Sequence, residues 1–282
     1  TINNGTSGTI TLNDVTVALS GSTADVKAAL DGTFAAGYTG NVTLGDADGT
    51  DVAAADISTI AGDTAGTVTV TNNINLTGTS AAIATAVGDV NTFSGTPTAA
   101  LSNAHTLAQL KTINDAISGQ LTLTDYTVAL SGTSAQVAGA LDGTFASTYT
   151  GAATVSDPHT LDQLKTINNG TTGTITLNDV TVALTGSTAD VKAALDGTFA
   201  AGYTGNVTLG DADGTDVAAA DISTIAGDTA GTVTVTNNIN LTGTSAAIAT
   251  AVGDVNTFSG TPTAALSNAH TLAQLKTIND AI

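Results

Sequence analysis

The chain contains no cysteine, methionine, tryptophan, glutamate or arginine. Without cysteine it has no disulfide framework and no thiolate to act as nucleophile or metal ligand. All 24 acids are aspartate and all 5 bases are lysine, which leaves a formal net charge of −19. Nucleic acid is excluded as a partner, because phosphate contacts need clustered lysine and arginine. An anionic membrane surface would repel the chain, and no apolar run approaches the roughly 20 residues that a span needs. No membrane insertion is therefore expected. Aromatic residues make up only 3%, so an apolar core must be assembled from Val, Ile, Leu and Ala, and is expected to be thin and layered. So large a negative charge repels itself unless salt or bound cations screen it, over about 8 Å at physiological ionic strength. Salt-rich or calcium-containing surroundings suit it.

Of the 282 residues, 41% are hydrophobic and 10% charged, too apolar and too weakly charged for a disordered chain. The dominant feature is repetition. Residues 1–117 match 166–282 at an offset of 165, differing only at Ser7 against Thr172 and Ser20 against Thr185. The chain thus reads as a partial copy, 1–117, followed by a long repeat unit of 165 residues, 118–282. Weaker repeats open with "HTLAQLKTIND" at His105, "HTLDQLKTINN" at His159 and "VAAADISTIAG" at Val217, which divides the chain near 105–158, 159–216 and 217–269. Periods of this size point to stacked repeats. The sequence opens in mid-pattern at "TINNG" and closes in mid-pattern at "TINDAI", as expected of a stretch of something longer whose signal peptide or anchor lies elsewhere.

Each repeat has one grammar: an apolar stripe at helical spacing, a Gly/Thr/Asn turn, then a short alternating strand. Leu161, Leu164 and Ile167 recur every third residue and mark one face of a short helix. Asp31-Gly32, Asp142-Gly143 and Asp196-Gly197 stand where such helices should end, with glycine free to take a left-handed cap. Strand centres read Thr11, Thr43, Thr69, Thr98, Thr122, Thr154, Thr176, Thr208, Thr234 and Thr263, flanked mostly by Val, Ile and Leu. Runs such as "VTVALTG" add a further strand after a corner at Asn178-Asp179. A parallel stack would place equivalent threonines in one column, about 4.8 Å apart. The expectation is an α/β fold forming one continuous right-handed parallel β-solenoid with short helices and about ten coils. Its ends would be sticky, and no segment reads as a polar cap.

The stretches "AADISTIAGDTAGTVTVTN" and "DQLKTINNGTTGTITLND" resemble the tandem repeats of giant secreted or cell-surface bacterial proteins, cyanobacterial or marine proteobacterial. The resemblance covers essentially the whole chain. It implies matrix, adhesin or surface-filament roles and an extracellular or cell-surface location, and it brings no catalytic residues with it. The calcium-binding nonapeptide signature Gly-Gly-x-Gly-x-Asp carried by some of those proteins does not occur here.

No nucleophile elbow, phosphate loop or dinucleotide fingerprint is present. His105, His159 and His270 occupy one repeat position at a helix start, so they recur because the repeat recurs. The sharpest ligand candidate is "GDADGTD", with Asp46, Asp48 and Asp51, repeated as Asp211, Asp213 and Asp216. Closely spaced carboxylates around a glycine turn supply the hard oxygens that calcium takes. The spacing is not that of a helix-loop-helix site, and the plainer reading is a solvated turn with aspartate capping a helix. The phenylalanines and tyrosines are too scattered for a sugar-binding platform and are expected at the core edge.

The expected role is non-enzymatic: a structural repeat segment of an extracellular surface filament, sheath or adhesin stalk. Its partners would be copies of itself or continuing repeats of the same chain, end to end or lateral. The alternative is a binding module that displays a carbohydrate or ice-binding face on a repeat rod; glycan-array binding or thermal hysteresis would separate the two.

Overall fold

The structure, a computed structural model, describes residues 5–282. Among the described residues, helices of 8 to 10 residues alternate with strands of two to four, and every paired strand runs parallel to its neighbours. The chain divides into two compact units, one running to Val128 and including Gly139–Tyr149, the other comprising Ala129–Ala138 and Thr150–Ile282.

The first unit holds β1 (Leu19–Gly21), α1 (Thr23–Leu30), β2 (Val42–Leu44), β3 (Asp51–Ala53), α2 (Ala54–Asp63), β4 (Val68–Val70), β5 (Asn75–Gly78), α3 (Ser80–Asp89), β6 (Thr92–Phe93), β7 (Thr98–Leu101), α4 (Leu107–Ala116) and β8 (Leu121–Thr122). Its strands form two sheets, ordered β1-β2-β4-β6 and β3-β5-β7-β8, while α1 to α4 pack each on the next. The second begins with β9 (Leu130–Gly132), and α5 (Ser134–Leu141) passes from it into the first. There follow β10 (Ala153–Val155), α6 (Leu161–Gly170), β11 (Ile175–Thr176), β12 (Leu184–Gly186), α7 (Thr188–Leu195), β13 (Val207–Leu209), β14 (Asp216–Ala218), α8 (Ala219–Asp228), β15 (Val233–Val235), β16 (Asn240–Gly243), α9 (Ser245–Asp254), β17 (Thr257–Phe258), β18 (Thr263–Leu266) and α10 (Leu272–Ala281). Three sheets result, β11-β10-β9, β12-β13-β15-β17 and β14-β16-β18, and α6 to α10 again pack in succession.

Helices this short are marginal in isolation. Two local features hold them. Each of α4, α6 and α10 starts in a capping box, in which Thr106, Thr160 or Thr271 exchanges bonds with the glutamine three residues on. Helices α2, α3 and α4 each bury an apolar pair one turn apart: Ile57 and Ile60, Ile83 and Ala86, Leu110 and Ile113, all with 0% exposure. Full burial of such a side chain contributes about 1.5–3 kcal/mol. The strands add Val42 and Leu44, or Val207 and Leu209, from the facing side. Core therefore forms between each helix and the strands beside it, in layers.

The expected single right-handed parallel solenoid of about ten coils is overturned. What forms is an α/β fold with ten helices among the described residues and separate parallel sheets of three or four short strands. The intervals between helices explain the difference, because many hold two strands around a Gly/Asn turn, so successive strands in the chain fall into different sheets. Thr43 lies opposite Thr69, as a column requires, but the next rung is Thr92. Thr98 faces Asn75 in the other sheet, and Thr11 lies outside any strand. The strand expected after the corner at Asn178-Asp179 is present as β12.

The expected left-handed glycine caps are also absent. Positive φ occurs among the described residues only at Gly49, Gly78, Gly214 and Gly243. At Gly143 and Gly197 the reason for glycine is space: a Cβ would overlap the Asn114 and Asn168 side chains, which donate to the Ala140 and Ala193 carbonyls.

Candidate functional site

The two aspartate turns follow β2 and β13 and pivot on Gly49 and Gly214, with φ of 74° and 76°. Their carboxylates do not converge. Asp46 accepts the Thr23 backbone N–H at 3.0 Å and its hydroxyl at 2.5 Å, so it caps the start of α1, a neighbouring helix, and not the helix that follows it in sequence. Asp48 accepts the Asn73 N–H at 2.8 Å, and Asp51 accepts the Asn75 amide at 2.7 Å. Asp211, Asp213 and Asp216 repeat this with Thr188, Asn238 and Asn240 at 2.6 to 2.8 Å. The helix α2 that follows the first turn has Ala53 at its N-cap and no side-chain cap. Among the described residues no group of three or more His, Cys, Asp or Glu is placed to hold a metal ion. Each candidate carboxylate instead ties one repeat to the next.

Asparagine is the functional partner that pattern reading missed. Asn75 donates to Asp51 and accepts from the Thr98 hydroxyl at 3.0 Å, a polar ladder across β3, β5 and β7. Asn240 does the same between Asp216 and Thr263. Asn73 takes the Thr96 N–H, and Asn91 takes the Val68 N–H. The recurrence of "TNNIN" in both copies is the one signal that pointed here.

His105 and His159 do stand at helix starts, yet they are buried, each 4% exposed. His105 Nε2 lies 3.0 Å from the Tyr149 hydroxyl, and His159 Nε2 lies 3.1 Å from that of Tyr203. Each tyrosine hydroxyl donates its proton to a backbone carbonyl, Val128 at 2.6 Å and Val182 at 2.5 Å. Its oxygen must then accept from the histidine, which assigns the neutral Nε2–H tautomer. Nδ1 of both rings is buried without a partner. Burial holds both imidazoles below the usual histidine range, only partly offset by Asp125 near His105 and by Asp179 and Asp157 near His159. The same burial pushes the Tyr149 and Tyr203 hydroxyls far up. Each pair is thus held by burial and by two hydrogen bonds on the tyrosine oxygen. His270, the third of the set, is exposed. Tyr38, Tyr149 and Tyr203 lie in the core, and the phenylalanines sit half-buried at its edge.

All five lysines carry ion pairs. Lys27 with Asp56, Lys165 with Asp190 and Lys192 with Asp221 bridge consecutive helices; Lys111 with Asp115 and Lys276 with Asp280 pair within one helix. Pairs this exposed contribute at most about 1 kcal/mol each. Shallow grooves between α3 and α4 and between α9 and α10 are lined by alanine, threonine and glutamine, with no acid or base in either. No helix among the described residues is long and apolar enough to cross a membrane. Comparison of the chain with protein-family models, with curated proteins and with solved structures finds no match in any of the three.

Proposed function

We propose that the chain is a structural repeat segment of an extracellular surface filament, sheath or adhesin stalk, without catalytic activity. One observation carries this reading: the contacts of the first copy recur in the second at an offset of 165, from Thr23 on Asp46 and Thr188 on Asp211 to Lys27 on Asp56 and Lys192 on Asp221. A catalytic or recognition site breaks a repeat, because it needs polar groups that leave their structural partners and point into a cleft. Here the candidate carboxylates and both buried histidines serve the packing. Repetition with no interruption is what a mechanical role uses, since stability in stacked repeats comes from neighbour contacts and length is added without new design. The acidic surface keeps such material soluble and limits bundling.

The test is to raise antibodies against the chain and image the surface of the cells that make it. Threads or a sheath labelled outside the cell are the expected result. Label confined to the cell interior would overturn the proposal.

A further inference from the structure

Six stretches of the chain read Asn-x-Thr, the acceptor pattern for a sugar on the asparagine amide nitrogen: those at Asn4, Asn41, Asn75, Asn169, Asn206 and Asn240. Asn4 lies outside the described residues. In a chain so rich in both residues the pattern carries little weight by itself, but the fold sorts the other five.

Three of them are engaged. The Asn75 amide donates to Asp51 at 2.7 Å and accepts the Thr98 hydroxyl at 3.0 Å, so neighbouring strands hold it from both sides, and the Thr77 hydroxyl is bonded to the Val52 carbonyl. Asn240 is held by Asp216 and Thr263, and Thr242 by Val217, in the same way. Asn169 is exposed in the last turn of α6, but Thr171, the hydroxyl of its pattern, is 5% exposed and donates to the Gly151 carbonyl at 2.7 Å.

Asn41 and Asn206 differ. Each is exposed and stands directly before a strand, β2 or β13. Its side chain accepts the backbone N–H of Thr67 or Thr232 at 3.0 Å. Because the backbone group is a donor, the atom that meets it must be Oδ1, and Nδ2 is the atom left over. Among the described residues Nδ2 has no partner, and neither has the hydroxyl of Thr43 or Thr208 two residues on. Residues two apart on an extended chain project to one face, so the open amide and the open hydroxyl are offered together. A sugar on Nδ2 leaves Oδ1 on its backbone N–H and breaks no contact of the fold.

We propose that Asn41 and Asn206, one in each compact unit, are sites of N-linked glycosylation. The assignment deepens the surface role proposed above and rests on it for the use of a bulky, solubilising group. The co-reactant is a sugar-diphosphate donor, and a transferase of the producing cell supplies the base. Nδ2 attacks the anomeric carbon and an N–C bond forms; the bond from that carbon to the phosphate oxygen breaks. The diphosphate leaves with the electron pair, and the amide gives up one proton and keeps the other. The sugars would stand beside the β1-β2-β4-β6 and β12-β13-β15-β17 sheets, where they add to the negative charge in limiting bundling.

Mass spectrometry of the chain purified from the cells that make it tests this. Cleavage after lysine gives residues 28–111 and 193–276 as identical peptides, each with one open and one engaged asparagine, while residues 166–192 carry Asn169. Fragmentation by electron transfer leaves a sugar on its residue. A hexose or N-acetylhexosamine increment is expected at Asn41 and Asn206 and none at Asn75, Asn240 or Asn169. Thr43→Val removes a hydroxyl that bonds nothing among the described residues, so it should melt like the parent while losing the sugar at Asn41 alone. It also makes the two peptides differ in mass, which leaves Asn206 as the internal control. Bare amides at Asn41 and Asn206 overturn the proposal. So does a sugar at Asn75 or Asn240 at a comparable level, and so does a sugar at Asn41 that survives Thr43→Val. A chain imaged outside the cell with bare amides removes the sugars and leaves the surface role standing; a sugared chain confined to the cell interior removes the surface role and leaves the modification.

Discussion

Tyrosine 38, 149 and 203 hold one repeat position in three settings, and replacing each by phenylalanine separates what the hydroxyl does from what the ring does. In Tyr203→Phe the ring stays packed, but two groups lose their partner: the Val182 carbonyl and the His159 Nε2–H. His159 is 4% exposed, so water cannot replace the lost bond. Each buried group left unpaired costs about 1–3 kcal/mol, and the sum expected for Tyr203→Phe is about 2–6 kcal/mol. Tyr149→Phe strands the Val128 carbonyl and His105 in the same way. Tyr38→Phe strands only the carbonyl of Val17, a residue 53% exposed. Water can reach that oxygen, and the cost should be about 1 kcal/mol.

The prediction is therefore an ordering, with Tyr149→Phe and Tyr203→Phe roughly equal and both clearly worse than Tyr38→Phe. Urea unfolding followed by far-ultraviolet circular dichroism at pH 7.5, at concentrations where the chain is monomeric, gives the three values. A double-mutant cycle of His159→Phe with Tyr203→Phe isolates the histidine bond itself. Three equal costs would refute the reasoning, since they would mean that the buried imidazoles contribute nothing and that the neutral tautomer assigned above does not hold the fold.

Acidification should lower stability as pH falls below about 6.5. The unfolded histidines take up protons near pH 6.5, whereas burial keeps folded His105 and His159 neutral to a lower pH; stability is fully present above the unfolded pKa and is lost as pH falls. Urea midpoints at pH 7 and 5 check this, and the slope should shrink in a His105→Gln, His159→Gln double variant. Calcium and magnesium at equal ionic strength should raise the melting temperature by the same amount through screening of the net charge, because Asp46, Asp48 and Asp51 each have a separate protein partner. A rise specific to calcium, abolished by a chelator, would show that these carboxylates rearrange around the ion. Gly173→Ala should destabilise by about 1–3 kcal/mol, as overpacking does, because a Cβ there would overlap the Gly151 carbonyl, while Gly8→Ala, whose Cβ would meet Thr6 Oγ1 at 3.4 Å, should be nearly neutral; calorimetry of the two variants decides it.

The helices were legible because a three-residue stripe such as Leu161, Leu164 and Ile167 carries phase over two turns, and the threonine and glutamine of a capping box stand at fixed spacing beside it. The sheets were not. A strand of two or three residues has almost no period to read, so "VTL" at Val42 and "TAAL" at Thr98 look alike in a list of alternating triplets while they belong to different sheets. Only the register of pairing tells them apart, and register is set by contacts 22 to 26 residues away. The aspartate turns show a similar limit. Their spacing reports how close the carboxylates are along the chain, and the turn at Gly49 then aims them at three different partners. Burial of His105 was hidden for the same reason, since the tyrosine that requires it lies 44 residues downstream.

Seen by span, the side-chain chemistry has a single use. Thr23 with Asp46, Asn73 with Asp48, Thr96 with Asn73, Lys27 with Asp56 and Ser80 with Gln109 all reach 23 to 29 residues, the distance from one helix-and-strand group to the next. A chain of Val, Ile, Leu and Ala with few aromatics can fill only thin layers, and thin layers slide unless something fixes their register. The polar residues supply that fixing, each set by a partner of definite donor or acceptor type. This explains why the residues that most resemble a site, the aspartate clusters together with His105 and His159, are bonded to neighbouring repeats. It also explains why a near-verbatim copy is retained, for a rung whose Asp, Asn or His changed would no longer match the rung beside it.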